Sequence, residues 1–452
     1  MTKSMTGGRP IRLILQFAFP LLLGNLFQQT YNMVDAAIVG RTLGAAALGS
    51  VGASSSVNFL ILGFCIGLAC GFAIPVAQAF GADDRRMLRS CVFHSWILTA
   101  AFAAVLTVAC SLLTPQILHL LQTPDDLYAD AYAYLLVIFL GIPFTMLYNL
   151  CSGILRAVGD SRTPFLFLAF SAVLNIGLDL FCILVLGWGT AGAAIATIAS
   201  QGISGILCFF YMRRKYALLR VGREERRWNP RTVRKLLLMG IPMGLQYSIT
   251  AIGSMVMQSA NNSLGSLYTS AFAAGVKIKQ LTMCPFDAIA TGVSTFAGQN
   301  YGAGKVDRIR NGIRSGTMVA VFYGLLAGFL LILGGRTMSL LFVSSSYQKV
   351  LDASGRYLRC MGYFYWTLGI LNTIRMSIQG LGFSGRAIFS GVIEMIARTF
   401  VSLVFVPIAG YTAICYADQT AWVTSSIYCV IMLGICMKTI RTRTYRRSAA
   451  EE

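Results

Sequence analysis

The chain has 452 residues, of which 56% are hydrophobic and only 12% are charged. Soluble domains carry about 25% charged residues, and a soluble core of this size could not bury so much apolar surface, so most of the chain must be solvated by lipid. The formal net charge of +20 would also suit a nucleic-acid-binding protein, but the placement of the basic residues excludes that class, as described below.

Twelve stretches are long and apolar enough to cross a membrane, which takes about 20 residues. The first, from Leu13, contains Gln16, Pro20 and Asn25 and lacks a small-residue cleavage site, so we expect a retained span rather than a signal peptide. The predicted spans are 13–38, 51–78, 90–113, 130–155, 164–186, 190–212, 233–259, 271–298, 313–334, 357–380, 387–409 and 418–437. This pattern predicts an all-α membrane protein.

The loops between the predicted spans differ sharply in basic residues. Of the 37 lysines and arginines, 28 fall on one side of the predicted membrane and 5 on the other. The positive-inside rule then places both termini and the long polar loop 213–235 in the cytoplasm of a multi-pass protein of the cell membrane. Topology thus accounts for the basic excess, and no nucleic-acid partner is expected.

The two halves of the chain resemble each other at an offset of 221 to 223 residues. Pro20 corresponds to Pro242, and Gln78-Ala-Phe-Gly81 corresponds to Gln299-Asn-Tyr-Gly302. We therefore predict two pseudo-symmetric six-helix lobes with a central cavity. The predicted divisions are an N-terminal lobe 1–212, a cytoplasmic linker 213–235, a C-terminal lobe 236–440 and a basic cytoplasmic tail 441–452.

Two acids stand inside the predicted spans of the first half. Asn175 and Asp179 are four residues apart and share one face of a helix, while Asp35 lies 15 residues after Pro20, where a helix can bend. A carboxylate in hydrocarbon is costly unless a proton, a cation or a base neutralises it. The pair could hold a proton or bind a hard cation with Asn175, or it could cap helix ends and bond to backbone.

The second half carries acids and bases together inside its predicted spans. Glu394 and Arg398 are four residues apart and either form a structural ion pair or contact substrate. If the bases face the cavity they favour anionic or zwitterionic compounds, whereas Lys277 and Lys279 could instead reach the headgroups. The candidates for lining the substrate cavity are Gln28, Tyr31, Asn32, Gln246, Lys277, Lys279, Asp287, Arg375, Glu394 and Arg398.

Glycine-rich patterns in the chain have structural explanations. Gly63, Gly67 and Gly71 form a surface for close helix packing. Gly380–Gly385 matches G-x-G-x-x-G in letters, but no strand precedes it, so we interpret it as a turn. The sequence contains no Walker A motif, no H-E-x-x-H and no nucleophile elbow, and we expect neither an enzyme nor a cofactor.

Several of these residues together resemble the multidrug and toxic compound extrusion (MATE) family over essentially the whole chain. The resemblance rests on Gln29-Thr-Tyr-Asn-Met-Val-Asp35, Gln78-Ala-Phe-Gly81, Leu155-Arg-Ala-Val-Gly159-Asp160 and Leu174-Asn-Ile-Gly-Leu-Asp179, and on the double repeat. It is closest to the DinF-type branch. The resemblance implies a monomeric secondary active antiporter that exports small organic compounds in exchange for protons or sodium ions.

The same resemblance implies a cation-coupling site in the N-terminal lobe. The matching positions are Asp35, Asn175, Asp179 and Thr197, which would bind the metal ion if sodium is the coupling ion, and Pro20 matches the family's gating proline. Gln246 stands where another branch of the family has an acid, which argues against that branch's site in the C-terminal lobe. The alternatives are a lipid-linked precursor flippase of the same superfamily and, from another class, a membrane enzyme or receptor.

Overall fold

The structure is a computed structural model in which residues 3–120, 123 and 125–448 are described, without the side chains of 45–50, 53, 120, 125, 126 and 443–448. Almost all of this chain is helical. The helices are α1 (Pro10–Thr42), α2 (Gly44–Gly81), α3 (Arg85–Leu120), α4 (Asp125–Leu140), α5 (Ile142–Ala157), α6 (Arg162–Leu180), α7 (Gly189–Lys215), α8 (Pro230–Asn262), α9 (Ser266–Gly302), α10 (Val306–Ser339), α11 (Gln348–Gly380), α12 (Ser384–Phe400), α13 (Val406–Ala409) and α14 (Tyr411–Ser448).

Three of the membrane spans are broken or irregular helices. α4 and α5 form one span that bends by 44° at Gly141. α6 and α12 each continue into a five-residue π-helical turn, at Phe181–Val185 and Val401–Phe405. A π turn accommodates one extra residue and is frequent at functional sites. With these continuations the described chain has six spans in each half, and most run several residues beyond the predicted limits.

The hydropathy of two spans is low for a membrane helix. Within the described residues, nine single helices and the bent pair α4–α5 are long and apolar enough to cross a bilayer. α9 and α11 fall below that threshold because they carry charged and amide side chains in their interiors, including Lys279, Asp287, Asn372 and Arg375. Such side chains are tolerated at membrane depth when they have partners inside the protein.

The chain forms two compact units, and the units exchange helix halves. Unit 1 contains residues 23–244 with the short N-terminal piece ending at Ser4, and unit 2 contains 5–22 and the described residues from 245 to 448. α1 therefore passes from unit 2 to unit 1 two residues after Pro20, and α8 passes from unit 1 to unit 2 two residues after Pro242. The predicted lobes, by contrast, followed the order of the chain. Residues 449–452 of the predicted tail lie outside the described residues.

Glycines allow close helix packing in unit 1. A Cβ on Gly67 would lie 2.7 Å from the carbonyl oxygen of Met243, and one on Gly71 would lie 2.5 Å from the Cα of Gly240. α2 thus packs directly on the backbone of the first half of α8, and the predicted packing role is confirmed for these two glycines.

The polar stretch 213–235 is ordered and packs on α3 within unit 1. The guanidinium of Arg89 donates to the carbonyl oxygen of Leu218 and lies 3.4 Å from the carboxylate of Glu225. The ring of the buried His94 accepts a hydrogen bond from the Asn229 amide through Nε2, at 3.0 Å. Asn229, the residue immediately before α8, is therefore fixed to α3, and residues 230–235 of the stretch already belong to α8.

Asp160 organises the turn between α5 and α6. Gly159 adopts a φ of +86°, and a Cβ there would overlap the carbonyl oxygen of Lys3, so only glycine fits. The Asp160 carboxylate accepts from the amides of Arg162 and Thr163 and from the Thr163 and Tyr216 hydroxyls. Burial opposes ionisation, but these hydrogen bonds outweigh it and lower the pKa of Asp160.

Unit 2 has its own core and anchors the start of the chain. Phe286, Tyr365 and Trp422 from α9, α11 and α14 are fully or almost fully buried and stack edge to face or tilted. At the end of α9, the Gln299 side chain accepts the Met5 amide at 2.8 Å and the Asn300 side chain donates to the Met5 carbonyl oxygen at 3.2 Å. The repeated Gln-x-x-Gly segment thus holds the peptide that leads into α1.

Candidate functional site

Two acidic side chains meet inside unit 1. Asp35 lies in α1, and Asp179 lies in the last turn of α6, immediately before the π turn. Their carboxyl groups lie close enough to interact electrostatically with each other. Asp179 is completely buried, and Asp35 is half-buried. The sequence placed both acids in spans, and the structure brings them together.

Asn175 and Thr197 complete a cluster of oxygen atoms around the two acids. Asn175 is buried one turn before Asp179, and its Nδ2 donates to Oγ1 of Thr197 on α7 at 3.4 Å. Within the described residues four buried oxygens of the cluster have no hydrogen-bond partner: Oδ1 of Asp35, Oδ1 and Oδ2 of Asp179, and Oδ1 of Asn175. The alternative that Asp179 bonds to backbone is therefore wrong.

The chemistry of this cluster suits a proton or a hard cation. Carboxylate and amide oxygens only accept hydrogen bonds, so acids in contact repel each other unless a proton or a positive ion lies between them. An unpartnered buried acceptor costs about 1–3 kcal/mol, and a charged one costs more. Carboxylate, amide and hydroxyl oxygens are also the ligands that hard cations prefer. The cluster can therefore bind either ion.

Further polar side chains lie near the acids, and among them Gln201, Thr145 and Tyr134 were not predicted from the sequence. The hydroxyl of Tyr31 contacts the side chains of Gln28 and Gln201, and Gln201 accepts a hydrogen bond from Thr145 at 2.7 Å. Tyr134 on α4 lies close enough to interact with both Asp35 and Asp179. A signal was present for Gln201, which stands four residues after Thr197 and so shares its face of α7.

Unit 2 contains a continuous chain of ion pairs across α9, α11, α12 and α14. Its ion-pair contacts join Lys279 to Asp418 at 2.7 Å, Asp418 to Arg398 at 2.9 Å, Arg398 to Glu394 at 3.1 Å and Glu394 to Arg375 at 2.6 Å. Arg375 also donates to Asn372, which in turn donates to Asp287 at 3.2 Å. We call these seven side chains the unit 2 network. Its three bases balance three acids.

Asp418 is a buried acid that was not counted among the charges inside the predicted spans of the second half. The sequence analysis placed the start of the last span at 418 and did not count this acid, but α14 begins at Tyr411 and Asp418 is buried within it. Three of the four bases that were named as cavity candidates, Lys279, Arg375 and Arg398, therefore have acidic partners. Lys277 is exposed, without an ion pair or hydrogen bond to any described residue.

The remaining predicted residues fall into separate environments. Gln246 is buried in unit 2 and accepts a 2.5 Å hydrogen bond from Gln379, so it has a structural partner there. Asn32 is exposed on α1. Pro20 lies inside the uninterrupted helix α1 and is buried. None of these three contacts the acids of unit 1 through a hydrogen bond within the described part of the chain.

Known proteins match the chain over most of its length. The sequence profile of the family MatE matches residues 20–181 and 242–410. A protein of Bacillus subtilis, the probable multidrug resistance protein YpnP, is 32% identical over 378 residues, which cover 83% of this chain and 84% of the relative. DNA damage-inducible protein F of Escherichia coli is 22% identical over 347 residues, covering 75% and 74%.

Solved structures share the fold. The crystal structure of a MATE protein in complex with MaL6 superimposes with a TM-score of 0.90 at 21% identity, covering 98% of this chain and 100% of that one. Family profile, relatives and fold agree with the resemblance drawn from Asp35, Asp179 and the double repeat. The chain belongs to the MATE family of multi-pass membrane transporters and is not an enzyme.

Proposed function

We propose that this protein is a secondary active antiporter that exports small organic compounds in exchange for protons or sodium ions by alternating access. The observation that carries the proposal is the oxygen cluster of Asp35, Asn175 and Asp179, whose buried acceptors have no partner within the described residues. Relatives named as multidrug resistance proteins support organic compounds as substrates.

Coupling between the ion and the substrate follows from the free-energy cost of leaving this cluster ionised and empty. When the acids are ionised and empty, their mutual repulsion and burial make the state unfavourable. Binding of a proton or cation removes that cost, so the preferred conformation differs between the occupied and the empty site. A substrate that binds one of those conformations better is then linked reciprocally to the ion.

We propose Asp35, Asn175, Asp179 and Thr197 as the ion ligands, with Pro20 as the gate. α1 carries Asp35 and changes unit two residues after Pro20, where the missing backbone hydrogen bond lets a helix bend. Pro20→Ala should fold normally and slow transport several-fold, with Pro242→Ala as the matched control in the other repeat. Wild-type turnover of Pro20→Ala would remove the proline from the mechanism.

The unit 2 network argues against the flippase alternative. Capture of an anionic lipid-linked precursor calls for basic side chains that are free to pair with the ligand, whereas Lys279, Arg375 and Arg398 already have acidic partners. Of the four bases that the sequence predicted for this cavity, Lys277 alone has no such partner among the described residues.

We propose that the substrate is a small organic molecule and that the transporter is monomeric.

We propose that both termini and residues 213–235 face the cytoplasm of the inner membrane, on the distribution of basic residues. Glu224 is exposed on this stretch, whereas Glu225 is held by Arg89, so Glu224→Cys is the better labelling site. An impermeant thiol reagent should label it in inside-out vesicles and leave it unlabelled in intact cells. Labelling in intact cells would reverse the orientation.

Transport itself is tested in inside-out vesicles from cells that produce the protein. Uptake of a fluorescent organic dye should rise when the vesicle lumen is made more acidic, or richer in sodium, than the outer solution. Vesicles with Asp179→Asn should behave like vesicles without the protein. Dye accumulation that is driven equally well by the wild type and by Asp179→Asn would contradict antiport through this cluster.

A further inference from the structure

An apolar groove with a basic end runs along unit 2, whereas the oxygen cluster belongs to unit 1. It has a volume of about 560 Å³ and lies between α10 and α14, with α11 at its floor. Arg310 and Arg314 stand one turn apart at the end where α10 begins, and Met318, Phe322 and Leu325 continue the same wall. Met437 contributes from α14.

The two arginines have no partner to neutralise them. Both are exposed, and neither forms an ion pair or side-chain hydrogen bond with any described residue. The nearest acid along the helix is Asp307, one turn before Arg310, and no ion pair joins them. In contrast, the guanidinium of Arg308 on the same turn has hydrogen-bond partners, because it donates to the backbone of Met5 and Gly8.

The length of the groove matches one leaflet of a bilayer. Arg310 and Leu325 are 15 residues apart on a helix that rises 1.5 Å per residue, so the wall is about 22 Å long. Half of a bilayer including its headgroup region measures about 20–22 Å. Met318 and Phe322 are 62% and 71% exposed, as expected of side chains that face lipid. A charged headgroup at the arginines would thus have its acyl chain along this wall.

We propose that this groove is a specific binding site for an anionic phospholipid, held by its phosphate at Arg310 and Arg314 and by one acyl chain along α10. Guanidinium groups bind phosphate oxygens through paired N–H donors, and basic pockets between transmembrane helices at the headgroup level select anionic lipids. The site is separate from the ion-coupling cluster, so the two proposals fail independently.

Native mass spectrometry of the full-length protein with equimolar phosphatidylglycerol and phosphatidylcholine of identical acyl chains tests the proposal. The wild type should retain phosphatidylglycerol preferentially. Each basic residue near the headgroups contributes about 1 kcal/mol, so Arg310→Gln/Arg314→Gln should bind it about 30-fold more weakly. The matched control is Arg85→Gln/Arg86→Gln, which removes two exposed arginines at the start of α3 in unit 1 and should keep the preference.

Three results would overturn the proposal. Retained preference in the Arg310/Arg314 variant would place the lipid elsewhere. An equal loss in both double variants would mean general charge attraction without a built site. Met318→Trp fills the groove and keeps both arginines, so it should also weaken phosphatidylglycerol binding, and unchanged binding would show that the acyl chain does not lie there.

Discussion

Each repeat has two polar side chains at the same point of the fold, just before a π turn. The electrostatic surroundings of these side chains differ between the two repeats. Asn175 and Asp179 precede the π turn that follows α6, and Glu394 and Arg398 precede the π turn that follows α12. In unit 1 the acids meet only each other and neutral groups, and their oxygens have no partner within the described residues. In unit 2 the buried acids Glu394 and Asp418 each form an ion pair with a base, and Arg398 pairs with both of them.

The two surroundings suit different roles, a site that responds to ion binding in unit 1 and an ion-pair network that stabilises the fold in unit 2. In a charge-balanced network at low dielectric, the opposite charges attract and stabilise each other. Removing one member leaves a buried charge uncompensated. An acid pair without a base is unfavourable until an ion arrives, so its state follows the ion. We therefore propose that the same helix arrangement serves ion coupling in one repeat and forms a rigid cross-brace in the other.

The largest effect is expected from neutralising the acids of unit 1. Asp35→Asn and Asp179→Asn should each reduce gradient-driven efflux to background, because a neutral amide cannot take up a proton and lacks the negative charge that attracts a cation. The thermal transition of Asp179→Asn should stay or rise, since the substitution removes a buried charge that has no base. Efflux from vesicles and thermal unfolding in detergent measure the two effects, and a strongly destabilised Asp179→Asn would assign the acid a structural role.

The opposite outcome is expected in the unit 2 network. Asp418→Asn leaves Lys279 and Arg398 without their shared acid and should lower stability by about 3–5 kcal/mol. The matched controls are Lys279→Gln, which should also destabilise, and Lys277→Gln two residues away, which should change stability by less than about 0.5 kcal/mol. Equal effects of the two lysine substitutions would contradict the network.

A smaller, pH-dependent effect is expected at Asp160. Its pKa is lowered in the folded protein, so its hydrogen bonds stabilise the fold above the unfolded pKa of about 3.9 and are lost as the pH falls through the folded pKa. Asp160→Asn should cost about 1–2 kcal/mol at pH 7.

The control for Asp160 is Asp84→Asn at the exposed start of α3, which should cost less because an asparagine side chain can still accept the Met87 amide as a helix cap. Unfolding curves of wild type and Asp160→Asn should converge as the pH falls from the unfolded pKa of about 3.9 through the lower folded pKa. A constant difference across that range would mean that ionisation of Asp160 does not matter.

The sequence indicated the residues that lie together in unit 1 because several of their signals are local. Asn175 and Asp179 share a helix face, and the spans that carry Asp35 and Thr197 follow from hydropathy and the family resemblance. The sequence did not reveal Asp418, since a buried acid seven residues inside a helix was indistinguishable from one at the membrane boundary until its partners were known.

The exchange of helix halves also could not be predicted. Hydropathy treats α1 and α8 as single spans, and only three-dimensional packing shows that each changes unit two residues after its proline. The polar ring around the acids was missed for the same reason, because Tyr134 and Thr145 come from α4 and α5 and carry no pattern that points to α1.

Displacement of the bound ion by substrate tests the central claim most directly. A transported compound added to purified protein in lightly buffered detergent should release protons, or bound radioactive sodium if sodium is the coupling ion, in proportion to the protein. Asp35→Asn and Asp179→Asn should release neither, while Lys277→Gln should behave like the wild type. Full ion release from both acid variants would contradict coupling through Asp35 and Asp179.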